Sequence, residues 1–140
     1  MREIKFRAWD KSEEKIIYSD KEYYDYDFRC DEHGNLLCYS NCSYADTFGD
    51  EHDEWVKLDS VMQYTGLKDK NGKEIYEGDI IKHQIKDTRT VVFKDGAFQT
   101  KRLVPVKGEL HDTFFFYECT GKDWEVIGNI YENPSLLEEN

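Results

Sequence analysis

The chain has 140 residues, and its 19 basic and 30 acidic side chains give a formal net charge of −11 at pH 7. This length suits one domain or two small lobes, and a content of 39% hydrophobic and 15% aromatic residues supplies enough apolar surface to exclude wholesale disorder. Such an acidic chain repels nucleic acid and anionic membranes at long range unless its charges are segregated. Charge alone therefore disfavours a simple nucleic-acid binder.

The N-terminus has no apolar stretch long enough for a signal peptide, and the longest apolar run, residues 114–117, is far shorter than a membrane span. We therefore expect a soluble, cytoplasmic protein. Four cysteines are present, and a reducing cytoplasm keeps such residues as free thiols rather than as disulfides.

In the first part of the chain, apolar and polar residues alternate with the period of a β-strand. Ile4, Phe6 and Ala8 alternate with charged residues, and after a polar turn at residues 10–15 a second strand begins at residues 16–18. Residues 20–59 then form an acidic block, in which twelve acidic and three basic side chains give a net charge of −9.

Residues 68–107 have the opposite charge, because ten basic and six acidic side chains give a net of +4. Turns are predicted at Asn71-Gly72, at Glu77-Gly78-Asp79 before a strand, and at Asp95-Gly96 between two strands. Two more strands are predicted at residues 114–117 and 124–130.

A short C-terminal helix is predicted to begin at Pro134. Asn133 is its expected cap, and Leu136 and Leu137 are its expected buried face.

Short, closely spaced strands with turn signals between them predict an all-β fold, built as a small barrel or as curled sheets. The charge changes sign near residue 60, without a linker of glycine, serine or proline. We therefore expect residues 1–140 to form a single domain of two contacting β lobes, an acidic lobe at residues 1–60 and a small barrel with a short C-terminal helix at residues 61–140.

One group of side chains has the residue types of a zinc site. Cys30, His33, Cys38 and Cys42 lie within thirteen residues, and a glycine follows the histidine. The spacing resembles a zinc knuckle only loosely, and the alternative is a hairpin that carries ordinary cysteines.

Other motifs of site chemistry are weak. The stretch from Gly66 to Glu74 has five residues between its two glycines and has Glu74 where a phosphate loop has a hydroxyl, so it is a turn rather than a phosphate loop. Asp69 and Asn71 resemble the start of a calcium loop, but the later ligands are missing. No set of catalytic groups assembles, and we predict neither catalytic residues nor a cofactor.

Two surfaces remain as candidates for binding. The first is acidic and rich in tyrosine, and it consists of Tyr23, Tyr24, Asp25, Tyr26 and Asp27. Its carboxylates either mimic a nucleic-acid duplex towards another protein or simply keep a sheet edge soluble.

The second surface is basic. It includes Lys82, Lys94 and Lys101, interleaved with Tyr64, Tyr76, Phe93 and Phe98. Small barrels bind single-stranded nucleic acid by stacking bases on aromatic rings beside basic grooves. The alternative is that strand alternation buries these aromatic side chains in the core and turns the lysines outward.

Three stretches of the chain closely resemble the YopX family of small bacteriophage and prophage proteins. They read MREIKFRAWD at residues 1–10, MQYTGLKDKNGKEIYEGDI at residues 62–80 and WEVIGNIYENP at residues 124–134. The resemblance implies a mostly β architecture, with the second half similar to a small SH3-like barrel, and a phage or prophage origin. It implies no catalytic residues.

Together these observations predict a non-enzymatic accessory protein that binds an unidentified host or phage protein through its acidic lobe or its loops. The alternative is a nucleic-acid-associated barrel that uses the basic surface at residues 68–107. We also expect self-association into a homo-oligomer, because exposed sheet edges favour pairing.

Overall fold

The computed structural model describes residues 3–11, 13–21, 26–33, 35–40, 55–58, 60–83, 87–104, 107–108, 113–115 and 123–138. The chain divides into two compact units, one formed by Lys5–Val61 and the other by Met1–Ile4 with Met62–Asn140.

The unit formed by Lys5–Val61 contains two antiparallel arrangements of strands. Its strands are β1 (Phe6–Asp10), β2 (Lys15–Tyr18), β3 (Tyr26–Cys30), β4 (Leu36–Ser40) and β5 (Trp55–Lys57). β1 and β2 form a hairpin in which Arg7 lies opposite Tyr18, and β3, β4 and β5 form a three-stranded sheet in that order.

The pattern of burial around β1 differs from the simple alternation that the sequence predicts. Ile4 is 63% exposed, whereas Lys5 and Arg7 are only 7% and 4% exposed, and Ala8 is fully buried. The ammonium group of Lys5 lies 3.6 Å from the Asp20 carboxylate. A cationic side chain can therefore take a buried position in this unit because a partner compensates its charge.

The unit that contains Met62–Asn140 has a five-stranded antiparallel sheet and a separate hairpin. Its strands are β6 (Val61–Lys68), β7 (Glu74–Tyr76), β8 (Asp79–His83), β9 (Thr88–Lys94), β10 (Ala97–Arg102), β11 (Thr113–Phe115) and β12 (Trp124–Asn129). The sheet has the order β11-β10-β9-β8-β12, and β6 pairs with β7.

The core of this unit lies against one face of the five-stranded sheet. Its buried members are Ile75, Ile81, Val91, Trp124 and Val126, and Leu67 and Phe98 pack against them. Burial of such side chains is the main stabilising contribution to a sheet of this size.

Two glycines of this unit have little room for a side chain. Gly78 has a φ of +82°, and a Cβ atom there would lie 2.9 Å from the Met62 sulfur. A Cβ atom at Gly128 would lie 2.4 Å from Asn133 Oδ1, so a side chain there would have to displace the Asn133 side chain.

The C-terminal helix is a single 3-10 turn, Pro134–Leu137, and the predicted buried face is wrong. None of its four residues is buried, and Leu137 is exposed. Asn133 does not cap the turn with its side chain, because its Oδ1 accepts a hydrogen bond from the Asn129 amide at 3.2 Å instead. One turn is too short to bury a face of its own.

The all-β prediction is confirmed, since the regular elements among the described residues are strands apart from this turn. The closed SH3-like barrel stays a prediction. Among the described residues, no helix is long and apolar enough to cross a membrane.

Candidate functional site

Three predicted binding residues lie on one face of the five-stranded sheet. Lys82 on β8 lies opposite Thr88, Lys101 on β10 lies opposite Thr90, and Lys94 on β9 lies opposite Ala97. Residues directly opposite each other, and residues two apart on one strand, share a face. The register therefore puts Lys82, Lys94 and Lys101 together on what we call the lysine face.

The lysine face is an extended surface rather than a compact cluster. Strand and residue spacings place the Lys82 and Lys101 backbones about 12 Å apart, and those of Lys94 and Lys101 about 14 Å apart. All three lysines are exposed. Such an arrangement suits a distributed electrostatic contact with a macromolecule better than the coordination of one small ligand.

At the β12 edge of the lysine face, the carboxylate of Glu125 contacts two side chains of the β6–β7 turn. Glu125 lies opposite Lys82, and its carboxylate contacts the Lys70 ammonium at 3.0 Å and the Asn71 side-chain amide at 3.4 Å. This contact ties the β6–β7 turn to the β12 edge. The negative charge of Glu125 next to Lys82 is therefore partly neutralised by Lys70.

The described aromatic side chains of β9 and β10 project from the opposite face. Phe93 and Phe98 alternate with Lys94 and Gln99, and they share their face with the buried Val91. Base stacking beside the lysines would need aromatic rings on the lysine face itself.

The prediction that the aromatic residues fill the core is correct for Tyr64 and Tyr76, correct in part for Phe98, which packs against the core, and wrong for Phe93. Tyr64 and Tyr76 are buried and lie opposite each other, with ring centroids 5.4 Å apart. Phe93, in contrast, is 51% exposed, because it lies next to the β9–β10 turn, beyond the core.

Two arginines of the predicted basic region are internal rather than part of an external basic surface. Arg89 donates from Nε to Asp87 Oδ2 at 2.9 Å and from Nη1 to Thr100 Oγ1 at 3.2 Å. Its guanidinium also lies 5.0 Å from the centroid of the Trp124 ring. Arg102 Nε lies 3.5 Å from the same Asp87 oxygen.

This largely buried polar cluster links β9, β10 and β12 through one carboxylate and two guanidinium groups. Its arrangement is that of a structural network, because Arg89 contacts Thr100 on β10 and the Trp124 ring on β12, and Arg102 on β10 shares Asp87 with it. Sequence analysis missed it, since Asp87 precedes its strand and carries no distinctive motif.

Asp69 organises the turn that the sequence makes similar to a calcium loop. Its Oδ1 accepts hydrogen bonds from the amides of Asn71 at 2.8 Å and Lys73 at 2.9 Å, and its Oδ2 accepts one from the amide of Val126 at 3.0 Å. The amide of Lys70 also donates to the carbonyl of Trp124 at 3.0 Å. The turn therefore covers two backbone groups on the edge of β12.

Burial raises the pKa of Asp69, but the amides of Val126, Lys73 and Asn71, together with the charge of Lys73, outweigh it and hold that pKa below its ordinary value. Asp69 is thus ionised and saturated with backbone donors. Its role is to hold the turn and the β12 edge together.

In the turn between β3 and β4, an aspartate accepts the same pattern of amide hydrogen bonds. Asp31 Oδ1 accepts from the amides of His33 at 2.9 Å and Asn35 at 2.8 Å, while its other oxygen accepts from the Asn35 side chain. The shared signal is an aspartate three residues before a glycine, at Gly34 and Gly72.

The Glu77-Gly78-Asp79 turn contains two carboxylates with different environments. Asp79 is 1% exposed, and its Oδ2 accepts from the Tyr76 amide at 2.7 Å. Burial raises the pKa of Glu77, and a hydrogen bond from the Gln63 backbone opposes that rise only in part.

The remaining predicted site residues are only partly covered by the described structure. Tyr23, Tyr24, Asp25 and Cys42 lie outside the described residues, as do the side chains of Tyr26, Asp27, Cys30 and Cys38. His33 lies in the β3–β4 turn, with its imidazole exposed. The described residues contain no group of three metal-binding side chains, and the acidic surface and the zinc site stay predictions.

Comparison with known proteins gives a consistent result across nearly the whole chain. Solved structures similar to this chain include protein EF1440 from Enterococcus faecalis, at 29% identity and a TM-score of 0.51, over 98% of this chain and 99% of that one. Protein yopX from Bacillus subtilis has the same fold at 22% identity and a TM-score of 0.55, over 100% of this chain and 99% of that one. No curated protein matches the chain.

A family model described as YopX protein matches residues 5–138. The match includes the Asp69 turn, the Glu77-Gly78-Asp79 turn and β12, which the resemblance in the sequence also covers. The chain therefore belongs to the YopX family.

Proposed function

We propose that this chain is a phage or prophage accessory protein that works in the host cytoplasm as a non-enzymatic protein-binding module. Its contact surface is the lysine face of the five-stranded sheet. The observation that carries the proposal is the shared register of Lys82, Lys94 and Lys101, all exposed on one face of a sheet whose other face packs on the core.

The chemistry of the lysine face favours a partner with an acidic surface. Lysines at the rim of an interface accelerate encounter and fix orientation, and their effect falls with ionic strength. Because the sheet is anchored by the core on its other face, the lysines are held on a rigid support, which reduces the entropy lost on binding.

Affinity capture from infected or lysogenic host cells tests the proposal. We expect the full chain to recover one specific host or phage protein. The triple variant Lys82→Glu, Lys94→Glu and Lys101→Glu should reduce that recovery about tenfold, since it reverses three interfacial charges.

The matched control reverses three exposed lysines elsewhere, Lys11→Glu, Lys68→Glu and Lys107→Glu, and makes the same change in net charge. We expect this control to recover the partner as the unmodified chain does. Equal losses in the two triple variants would mean that net charge, and not the lysine face, controls binding.

The second candidate function is nucleic-acid binding, which the common face of the three lysines also favours. The net charge of −11 and the position of Phe93 and Phe98 on the opposite face weigh against it. Fluorescence anisotropy with a single-stranded DNA oligonucleotide decides between the protein-binding and the nucleic-acid-binding function. Binding that weakens steeply with salt, and that the lysine reversal abolishes, would replace the protein partner with nucleic acid.

A further inference from the structure

The turn between β6 and β7 contains a dipeptide that can modify itself. Asn71 is the one asparagine of the sequence that precedes a glycine, and both Asn71 and Gly72 are exposed. Glycine has no side chain to hinder the approach of its backbone nitrogen to the asparagine amide. The space around Gly72 is also open, since a Cβ atom there would meet nothing within 4 Å. Sequence and exposure together are those of a deamidation site.

Deamidation at this dipeptide needs only water as a co-reactant. The Gly72 nitrogen gives up its proton and attacks Asn71 Cγ, so that a new N–C bond forms, the Cγ–Nδ2 bond breaks and ammonia leaves. Water then adds to either carbonyl of the cyclic imide and opens the ring, which yields aspartate or isoaspartate at position 71. Ring closure therefore requires a Gly72 amide that can turn towards Asn71 and lose its proton.

The closed turn holds both reacting groups. The Gly72 amide donates to the Asp69 carbonyl at 3.0 Å. The backbone amide of Asn71 donates to Asp69 Oδ1 at 2.8 Å, and its side-chain amide donates to Glu125 Oε1 at 3.4 Å. These hydrogen bonds have to break before the nitrogen reaches the side chain, so the closed turn opposes the reaction.

Opening of the turn is coupled to β12. Asp69 is only 6% exposed, and while one of its oxygens closes the turn, the other accepts a hydrogen bond from the Val126 amide at 3.0 Å. The Lys70 amide also donates to the Trp124 carbonyl at 3.0 Å. An opening in which Asp69 leaves the turn therefore breaks contacts to the β12 edge as well, which makes such an opening rare.

We propose that Asn71-Gly72 is a modification site that Asp69 keeps unreactive, so that deamidation occurs only in molecules in which this turn has opened. The rate in the folded chain is then the rate in the open turn multiplied by the open fraction, because opening and closing are fast relative to deamidation. The inference does not depend on the lysine face or on the proposed function.

The modification makes the opening permanent. Isoaspartate adds a methylene group to the backbone between positions 71 and 72, which moves the Gly72 amide away from the Asp69 carbonyl. Hydrogen exchange of the Val126 amide should therefore be faster in a chain converted to isoaspartate than in the unmodified chain. Equal exchange in the two would contradict this consequence.

Ageing of the full chain in a mildly alkaline buffer tests the site. Cleavage after glutamate isolates residues 55–74, in which Asn71 is the only asparagine, and mass spectrometry measures its deamidation. We expect the chain unfolded in guanidinium chloride to react about a hundredfold faster than the folded chain. The exchange rate of the Gly72 amide hydrogen should differ between the two states by the same factor, within about tenfold, because both reactions need the same opening.

Variants locate the protection. Asp69→Ala should raise the rate at Asn71 in the absence of guanidinium chloride by about tenfold or more. Asp31→Ala is the matched control, because it removes the carboxylate that organises the β3–β4 turn, and it should leave the rate at Asn71 unchanged. If Asp69→Ala does not fold, the exchange of the Gly72 amide in the unmodified chain tests the same point without a variant.

Three results would overturn the inference. The first is an equal rate of deamidation at Asn71 in the folded and the unfolded chain. The second is slow deamidation in a folded chain whose Gly72 amide hydrogen exchanges freely, which would mean that the hydrogen bond to Asp69 is not the cause. The third is equal acceleration by Asp69→Ala and Asp31→Ala, which would assign the protection to overall stability and not to the turn.

Discussion

Replacement of Asp69 by alanine should destabilise the chain far more than the equivalent replacement of Asp31. Both carboxylates accept two amide hydrogen bonds within their own turn, but Asp69 also accepts one from Val126, 57 residues away in sequence. The third bond to Asp31 comes from the Asn35 side chain within the same turn, so the pair compares a local third bond with the bond to the β12 edge.

The magnitude follows from the contacts. A hydrogen bond to a charged acceptor contributes about 1.5–3 kcal/mol, and a buried donor left without an acceptor costs about 1–3 kcal/mol. Val126 is buried, so Asp69→Ala removes a charge-assisted bond and leaves its amide unsatisfied. We expect a loss of about 3–5 kcal/mol in the free energy of unfolding for Asp69→Ala and about 1–2 kcal/mol for Asp31→Ala.

Urea unfolding followed by circular dichroism measures both free energies, and hydrogen exchange of the Val126 amide reports the local contact. The depressed pKa of Asp69 adds a pH signature. Its stabilisation is fully present above the unfolded-state pKa of about 3.9, and it is lost as the pH falls through the lower folded-state value. Asp69→Asn should flatten that acid limb. Equal destabilisation by Asp69→Ala and Asp31→Ala would refute the role assigned to the Val126 contact.

Three further predictions concern the same unit. Gly128→Ala should destabilise this unit by about 1–3 kcal/mol, because the new methyl group displaces Asn133 Oδ1. In urea unfolding, the double variant Gly128→Ala and Asn133→Ala should lose less stability than the sum of the two single variants. Glu77→Gln should raise the melting temperature at pH 7 and have little effect at pH 4. The pKa of Glu77 is raised in the folded chain, so its ionised carboxylate is destabilising above the folded-state pKa. An equal effect at both pH values would contradict this. Asp87→Ala should lower the free energy of unfolding by about 2–4 kcal/mol, since it leaves the largely buried Arg89 without its carboxylate, and a loss under 0.5 kcal/mol would show that the network contributes little.

The sequence predicted the strands and turns of the second half well because their signals are local. Asp95-Gly96 requires positive φ at two adjacent positions, and the apolar residues around it alternate with the strand period. The common face of Lys82, Lys94 and Lys101 also follows from alternation, once the pairing of the strands is known.

Long-range features were not predictable in the same way. The bond from Val126 to Asp69 and the sharing of Asp87 by Arg89 and Arg102 depend on which strands become neighbours. A single sequence contains no local signal for such neighbours, and so the Asp69 turn resembled an incomplete calcium loop.

Burial at the ends of elements was equally hard to predict. Phe93 has the right alternation for the core, but it lies past the end of the packed layer, next to the turn. Leu137 belongs to a turn too short to present a buried face. In both cases the tertiary environment, and not the pattern of residues, decides exposure.

The central claim, that the lysine face binds a protein, is tested most directly by quantitative capture after nuclease digestion of the host-cell lysate. The proposed function predicts that a specific protein remains bound to the unmodified chain and to the Lys11, Lys68 and Lys107 reversal. Its recovery should fall about tenfold for the Lys82, Lys94 and Lys101 reversal. Loss of the bound protein on nuclease digestion, or equal recovery by all three chains, would contradict the claim.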